Sequence, residues 1–274
     1  MPALTLERTA TVGVLANPSG ECGPQLLAID AWALAHGLRT VDLGTADRAG
    51  DLPEAVGLVI ALGGDGTILR ALQLAIVHQA PVLGVNFGHL GFLADVDGDD
   101  LGPALDRIGR GDAQIDERTA LVASSEQPVP RTVVAFNDIV ISRSPGFGNA
   151  RLHVEVSGEP VFDLTGDGLV VASPTGSTAY TVGAGGPAVS PTLDAIVLTP
   201  LAAQGTPLRS MVLDGNDTIR ITADARSAPL AVEVDGRTMP DMPTPATVDV
   251  GTAPGKARLV RTRPRTFYGD LARG

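Results

Sequence analysis

The sequence predicts an α/β N-terminal domain with an open parallel sheet over residues 1–115, followed by a mainly antiparallel, β-rich, sandwich-like C-terminal domain over residues 116–274. Two observations carry this. In the first third, short β-branched runs alternate with stretches whose apolar residues fall at helical spacing, the pattern of a parallel sheet with helices on both faces. From about residue 115 helical periodicity fades, and short β-rich stretches are separated by turn residues. A length of 274 residues accommodates one large domain or two modest ones, and with 44% hydrophobic but only 3% aromatic residues the core must be built from Val, Leu, Ile and Ala.

Val12–Ala16 is a compact β-branched run and reads as the first strand. Residues 24–36 carry apolar residues at helical spacing and stop before Gly37. Gly57–Leu62 is a continuous apolar run, as in a parallel strand buried on both faces, and it ends in Gly63-Gly64-Asp65-Gly66. Thr67–Gln79 follows as a helix and Pro81–Asn86 as the next strand. A Gly/Asp-rich stretch at 109–116 marks the domain boundary. Beyond it, strands are expected at 119–124, 131–142, 151–156, 168–172, 194–199, 217–223, 229–234 and 246–250. A last strand, Ala257–Arg263, and the residues after it are candidates to return to the first domain.

Charge and cysteine content exclude some classes. There are 31 acidic and 20 basic residues, a formal charge of -11, which disfavours nucleic acid and anionic membrane as partners. Backbone N–H groups and a few local cations can still hold phosphate within an acidic chain. The single cysteine, Cys22, allows no disulfide within the chain and fits a reducing compartment. The first residues lack the long apolar stretch of a signal peptide, and no apolar run approaches the ~18–20 residues of a membrane span. A soluble, cytoplasmic protein is the expectation.

Four segments carry chemistry. In Leu62-Gly63-Gly64-Asp65-Gly66-Thr67 a buried strand delivers the chain to a turn with three glycines and one acid before a helix. Glycines let the backbone approach a ligand, and the free N–H groups of a helix N-terminus attract an anion, so a polyphosphate is the expected ligand. A carboxylate among those amides makes sense as a base taking a proton from an attacking hydroxyl; an ordinary βα turn with aspartate as N-cap fits the same short segment. Asp167-Gly168 opens a strand that runs into the hydroxyl- and glycine-rich Ser173-Pro174-Thr175-Gly176-Ser177-Thr178-Ala179-Tyr180, suited to sugar, phosphate or base edges. Asn137-Asp138, after Phe136, can receive the two hydroxyls of a ribose, although such a pair is also common in turns. Gly84–Leu93 leaves a strand as a glycine-punctuated loop, and could wall a cleft at the C-terminal strand ends.

Together and in this order, these segments resemble the NAD kinase family, from about residue 58 to 200. The loop Gly84–Leu93, a later Ala184-Gly185-Gly186-Pro187, Val232–Arg237 and Phe267–Leu271 add to the match. The turn at Asp65 is shared with diacylglycerol kinases and phosphofructokinases; the long Ser/Thr/Gly segment is more specific. The resemblance implies a Rossmann-like first domain, a β-rich second domain and a nucleotide cleft between them. It implies that Asp65 is the catalytic base, with Gly63, Gly64, Gly66, Thr67, Arg70, Asn86 and Phe87 at the phosphates and nucleotide. It places Asn137 and Asp138 at the NAD ribose. It further implies that Asp167, Ser173, Thr175, Thr178, Ala179, Thr181, Gly183, Arg151 and Arg237 line the acceptor site, with Tyr180 beside a base. The substrates would be ATP, carrying Mg²⁺, and NAD; no separate protein metal site is expected, and homodimers or homotetramers are typical. In-line transfer to the 2′-hydroxyl of the adenosine ribose would give NADP.

Some positions depart from the family pattern. Thr165 stands where many relatives carry Arg, and Arg237 where Gln is frequent. These departures suit a paralogue acting on another nucleoside-like acceptor; a non-catalytic nucleotide sensor is a second alternative, and the intact Asp65 argues against it. A lipid kinase would want a membrane-facing apolar or basic patch. Other features read as structural. Asp95, Asp97 and Asp99 have calcium-loop spacing without its glycine and final Glu, and read as an acidic helix start. Arg258, Arg261, Arg263 and Arg265 read as a solvated strand edge, or else an oligomer contact. His36, His78, His89 and His153 form no metal motif, and Trp32 reads as core or interface.

Overall fold

The computed structural model of the chain describes residues 1–6, 10–17, 22–45, 52–53, 56–87, 91–125, 130–204, 209–239, 246–264 and 267–271. The chain divides into two compact units: Met1–Arg118 with Gly255–Gly274, and Thr119–Pro254.

The first unit runs β1 (Thr11–Ala16), α1 (Gly23–Ala35), β2 (Arg39–Thr45), β3 (Val56–Leu62), α2 (Asp65–Ala75), β4 (Val82–Asn86), β5 (Val96–Asp97) and α3 (Leu101–Arg110). β6 (Gln114–Ser125) then carries the chain into the second unit. The strands are parallel in the order β2-β1-β3-β4, with β5 beside β4. β3 is buried along nearly its whole length because it is covered on both faces. Leu58, Ile60 and Leu62 pack in one cluster with Ile29 and Trp32 of α1 and Leu105 and Ile108 of α3. α2 covers the opposite face, where Gly84 makes room for Ile68. α1 begins with proline in its first turn, and α3 ends at Gly111 in the left-handed conformation, with the Asp112 N–H donating back to the Arg107 carbonyl. β2 escaped the sequence reading because it is polar: Arg39, Thr40 and Asp42 are exposed, so it lacks an apolar run.

The second unit contains β7 (Arg131–Ala135), β8 (Asp138–Arg143), β9 (Ala150–Val156), β10 (Glu159–Gly166), β11 (Gly168–Ala172), the short α4 (Tyr180–Gly183), β12 (Ala195–Leu201), β13 (Met211–Asp214), β14 (Ile219–Ala223), β15 (Leu230–Val234), β16 (Arg237–Thr238) and the start of β17 (Thr247–Arg261); α5 (Phe267–Leu271) follows in the first unit. One sheet has the order β13-β12-β11-β8-β15-β16 and is antiparallel. A second set, β10-β9-β14-β17, pairs antiparallel as well. Alternate residues of both make one core: Ile139, Ile141, Leu169 and Val171 meet Leu152, Val154, Ile221 and Val248. This is the expected sandwich of inward-facing alternate side chains. The other face of β8 and β11, with Val140, Val170 and Ala172, packs beneath Val189 and Ala184. The chain after Ser173 is therefore pinned over the outer face of the six-stranded sheet.

Several expectations change. The run 131–142 is not one strand but two, broken at Phe136-Asn137. Nor is Arg261 solvated: it is 6% exposed, and Asp95 is wholly buried rather than lying at a helix start. Arg261 donates through Nε to Asp116 at 3.2 Å and through Nη1 to the carbonyls of Leu93 and Ala94 at 3.1 and 3.4 Å. Asp95 accepts from the N–H and hydroxyl of Thr262 at 2.9 and 2.6 Å. Asp97 occupies the N-cap position of the 3-10 turn before α3, and Asp99 and Asp100 lie in its first turn. Arg258 is half-buried against Glu117 and the Gln79 carbonyl, and Arg265 lies outside the described residues.

Burial raises the proton affinity of Asp116, but Arg118 and Arg261 outweigh it and hold the carboxyl below the usual carboxylate range. Removing one member of a buried ionic cluster strands the others. Arg261→Ala is expected to lower the unfolding free energy by about 3 kcal/mol, measured by urea denaturation. A loss below about 1 kcal/mol would show that the cluster is not an integral part of the fold.

Candidate active site

In the first unit, β3 ends in Gly63-Gly64 and α2 begins at Asp65. A side chain at Gly63 would run into Thr67 and Asn17, so only glycine lets the turn close here. Gly64 and Gly66 are exposed with open space where a side chain would project, leaving their backbone approachable. The Asp65 carboxylate is half-buried and held from one side. It accepts the N–H of Phe92 at 3.1 Å and of Leu93 at 3.3 Å, and a side chain at Gly91 would collide with it. The glycine-punctuated loop therefore reaches Asp65 directly. Asn86 is buried at the end of β4, and Phe87 lies partly exposed against Gly98. Arg70 lies further along α2, directed at Gln73 at 3.4 Å. His89 lies outside the described residues.

In the second unit the Asn-Asp pair and the hydroxyl-rich segment meet. Ser173 donates its N–H to the Asn137 carbonyl at 2.9 Å and its hydroxyl to the Phe136 carbonyl at 2.5 Å. A side chain at Gly176 would strike the Asn137 backbone, so the two segments touch only because glycine stands there. The Ser177 hydroxyl donates to the Pro174 carbonyl at 2.6 Å and accepts the Val189 N–H at 2.8 Å, while Thr178 bonds the Thr175 carbonyl at 3.3 Å. Serine hydroxyls thus satisfy an irregular, largely buried backbone. Thr181 is fully buried, whereas Ala179, Tyr180 and Gly183 are exposed on the same short stretch.

Asp138 is 5% exposed. Burial first, then the neighbouring Asp235 charge and more weakly Glu233, push its carboxyl up to about 7, against the lowering effect of the Tyr180 N–H. Asp167 pairs with Arg143 at 2.6 Å. Both border a pocket of ≈ 500 Å³ whose walls include Tyr180, Ser142, Leu201 and Ala202. Two of the candidate acceptor residues stand apart from this group. Arg151 is on β9 in the other sheet, on the face turned away from the core formed by Ala150, Leu152 and Val154. Arg237 is exposed on β16.

The sequence reading missed Asp235 and Arg143. Asp235-Gly236 joins β15 to β16 as a two-residue turn with both residues at positive φ, 48° and 75°. Asp-Gly between apolar strands is the sequence signal of such a hairpin. No local signal marks Arg143, which reaches Asp167 only because β8 pairs with β11. Among the described residues, no group of three or more His, Cys, Asp or Glu side chains could hold a metal ion, and no helix is long and apolar enough to cross a membrane.

Comparison with known proteins supplies the family. The ATP-NAD kinase N-terminal domain matches residues 47–113 and the ATP-NAD kinase C-terminal domain matches residues 136–262. The NAD kinase of Heliobacterium modesticaldum is 41% identical over 219 residues, covering 78% of this chain and 76% of that protein. That of Chloroflexus aggregans is 37% identical over 274 residues, covering 97% of each. The chain belongs to the NAD kinase family. Its fold is similar to that of yeast NADH kinase complexed with NADH, with a TM-score of 0.80, 24% identity, and coverage of 96% of this chain and 86% of that one. It is also similar to an NAD kinase from Archaeoglobus fulgidus in complex with ATP, with a TM-score of 0.75, 22% identity, and coverage of 96% and 98%. The N-terminal match contains Asp65, and the C-terminal match contains Asn137, Asp138 and the Ser/Thr/Gly segment.

The raised Asp138 carboxyl has a consequence for stability. Its folded value of about 7 lies above the ordinary 3.8, so the folded chain binds the proton more tightly than the unfolded one. The contribution favours folding at low pH and is lost progressively as pH rises from about 4 to about 7. Between pH 5 and 8 the wild type is expected to lose on the order of 2 kcal/mol that Asp138→Asn does not lose. Urea midpoints of both proteins across that range test this; parallel curves would show that Asp138 is not held protonated.

Proposed function

We propose that this chain is an ATP-dependent NAD kinase that transfers the terminal phosphate of ATP to the 2′-hydroxyl of the adenosine ribose of NAD, giving NADP. The observation that carries the reading is Asp65: a carboxylate at the first position of a helix, flanked by two open glycines and held on one side by the Phe92 and Leu93 amides.

Each group has a task in this reaction. The exposed backbone at Gly64 and Gly66 and the N-terminus of α2 receive the phosphates, where helix N–H groups favour an anion. Thr67 and Gly63 keep the turn closed. Asp65 takes the proton from the ribose hydroxyl as that oxygen attacks the phosphorus and the bond to the ADP oxygen breaks. Asn137 and Asp138 receive the ribose, and the Ser173–Tyr180 segment forms the adjoining wall. Arg143, Asp167 and Tyr180 border a pocket with one cation, one anion and one aromatic ring, a chemistry suited to a polar heterocycle. Mg²⁺ would be carried by ATP, with no separate protein site, and would supply charge neutralisation for the transferred group. Most of the rate is expected from positioning and electrostatics. We further place the enzyme in the cytoplasm as a homo-oligomer.

Two measurements test the proposal. Purified protein with Mg-ATP, offered NAD, NADH and a panel of nucleosides, should give NADP or NADPH as the dominant product by mass; a phosphorylated nucleoside instead would reassign the acceptor. Asp65→Asn should lower kcat by about 10³-fold while retaining ATP binding by calorimetry. Full turnover in that variant would remove Asp65 from the mechanism.

A further inference from the structure

The break between β7 and β8 takes the amides of Phe136, Asn137 and Asp138 out of the strand ladder. A single carboxylate collects all three. Asp235 Oδ1 accepts the N–H of Phe136 at 3.0 Å, of Asn137 at 2.7 Å and of Asp138 at 3.3 Å, and its Oδ2 makes a second contact with Phe136 at 3.1 Å. The bond is returned, because the Asp235 N–H donates to the Asp138 carbonyl at 3.0 Å. Asp235 holds this post from a hairpin turn with φ of 48°, a conformation that aspartate and asparagine tolerate and bulkier residues resist.

We propose that Asp235 is a positioning residue for the acceptor: by gathering three successive amides it fixes the turn that presents Asn137 and Asp138, and so sets the affinity for the acceptor nucleotide. This rests on the reading that Asn137 and Asp138 hold the acceptor ribose. A charged acceptor bonded to several amides is strong and directional, more so where water is partly excluded. The hairpin thereby couples β15 to the entrance of β8 without touching substrate. A second effect follows from charge. The Asp138 carboxyl is faced by Asp235 from the hairpin and Glu233 from β15, with the Tyr180 N–H opposing them, so the Asp235 charge raises the pH at which Asp138 ionises. An ionised Asp138 accepts both ribose hydroxyls, and a protonated one competes as a donor.

The two effects are separable by substitution. Asp235→Asn keeps an Oδ1 that can receive all three amides and removes the charge. Asp235→Ala removes the cradle. The KM values for NAD and ATP, kcat and the pH profile of kcat/KM for NAD would be measured for both variants and for Asn137→Ala, with folding followed by circular dichroism and melting. Asp235→Ala is expected to raise the KM for NAD at least about tenfold with the KM for ATP changed less than about twofold. Asp235→Asn is expected to retain most of the NAD affinity at pH 8 and to move the acidic midpoint of kcat/KM down by about one pH unit. If Asp235→Ala does not fold, that midpoint decides. A folded Asp235→Ala with an unaltered KM for NAD, or an unmoved midpoint in Asp235→Asn, overturns the proposal. Asn137→Ala separates the two readings: if it raises the KM for NAD while the Asp235 variants do nothing, only the positioning role fails. If it leaves that KM unchanged, the acceptor assignment fails and the Asp235 proposal with it.

Discussion

A backbone amide that leaves regular structure must find another acceptor, and in this chain carboxylates supply it at the two turns to which the proposed reaction assigns chemistry. Asp65 takes the amides of Phe92 and Leu93; Asp235 takes those of Phe136, Asn137 and Asp138. Irregular backbone is what lets glycines and polar side chains face a ligand rather than a neighbouring strand. It would be untenable beside a buried core without such partners. The same logic extends to Ser173 and Ser177, whose hydroxyls bond the backbone of a segment that carries little regular secondary structure.

The hold on Asp65 is itself held. The loop that donates the two amides continues into Leu93 and Ala94, whose carbonyls bind Arg261, and into Asp95, which binds Thr262. Arg261 is anchored by Asp116, beside Arg118. A strand contributed by the far end of the chain thus fixes the position of a loop 168 residues earlier, and that loop fixes Asp65. A buried ion cluster adds little net stability compared with apolar packing. Its value here is directional: a guanidinium can grip two carbonyls and a carboxylate at once, which no aliphatic side chain can do.

Much of the fold was legible because periodicity reports burial. β3 is apolar throughout and is covered on both faces; β9, β14 and β15 alternate, as strands with one face on a core do. β2 and β10 were not legible, since an edge strand with polar residues on both faces resembles a loop. In the site, Asp65 and the segment from Ser173 to Tyr180 stood out because glycines and hydroxyls cluster where a strand ends. Asp235 and Arg143 did not, because their partners are 97 to 99 and 24 residues away and only strand pairing brings them close. Arg261 misled for the same reason: spacing along a strand says which side chains share a face, not whether that face is covered.

The turn at Asn137-Asp138, the proposed acceptor site, departs from the rules that build a core. Asp138 is nearly inaccessible, faces Asp235 and Glu233, and has one amide, from Tyr180, in partial compensation. On stability alone a neutral residue would be better there, since burial and like charge both oppose ionisation. In the proposed acceptor role, the carboxylate meets hydroxyl donors that arrive with the substrate, and their hydrogen bonds offset that opposition. Asp235 cannot be neutralised without loss either, because the charge that disfavours ionised Asp138 is the charge that binds its amides most strongly. Geometry and charge are therefore coupled through one side chain. The sandwich core beneath, with Ile139, Ile141, Leu169 and Val171 fully buried, offsets the electrostatic cost.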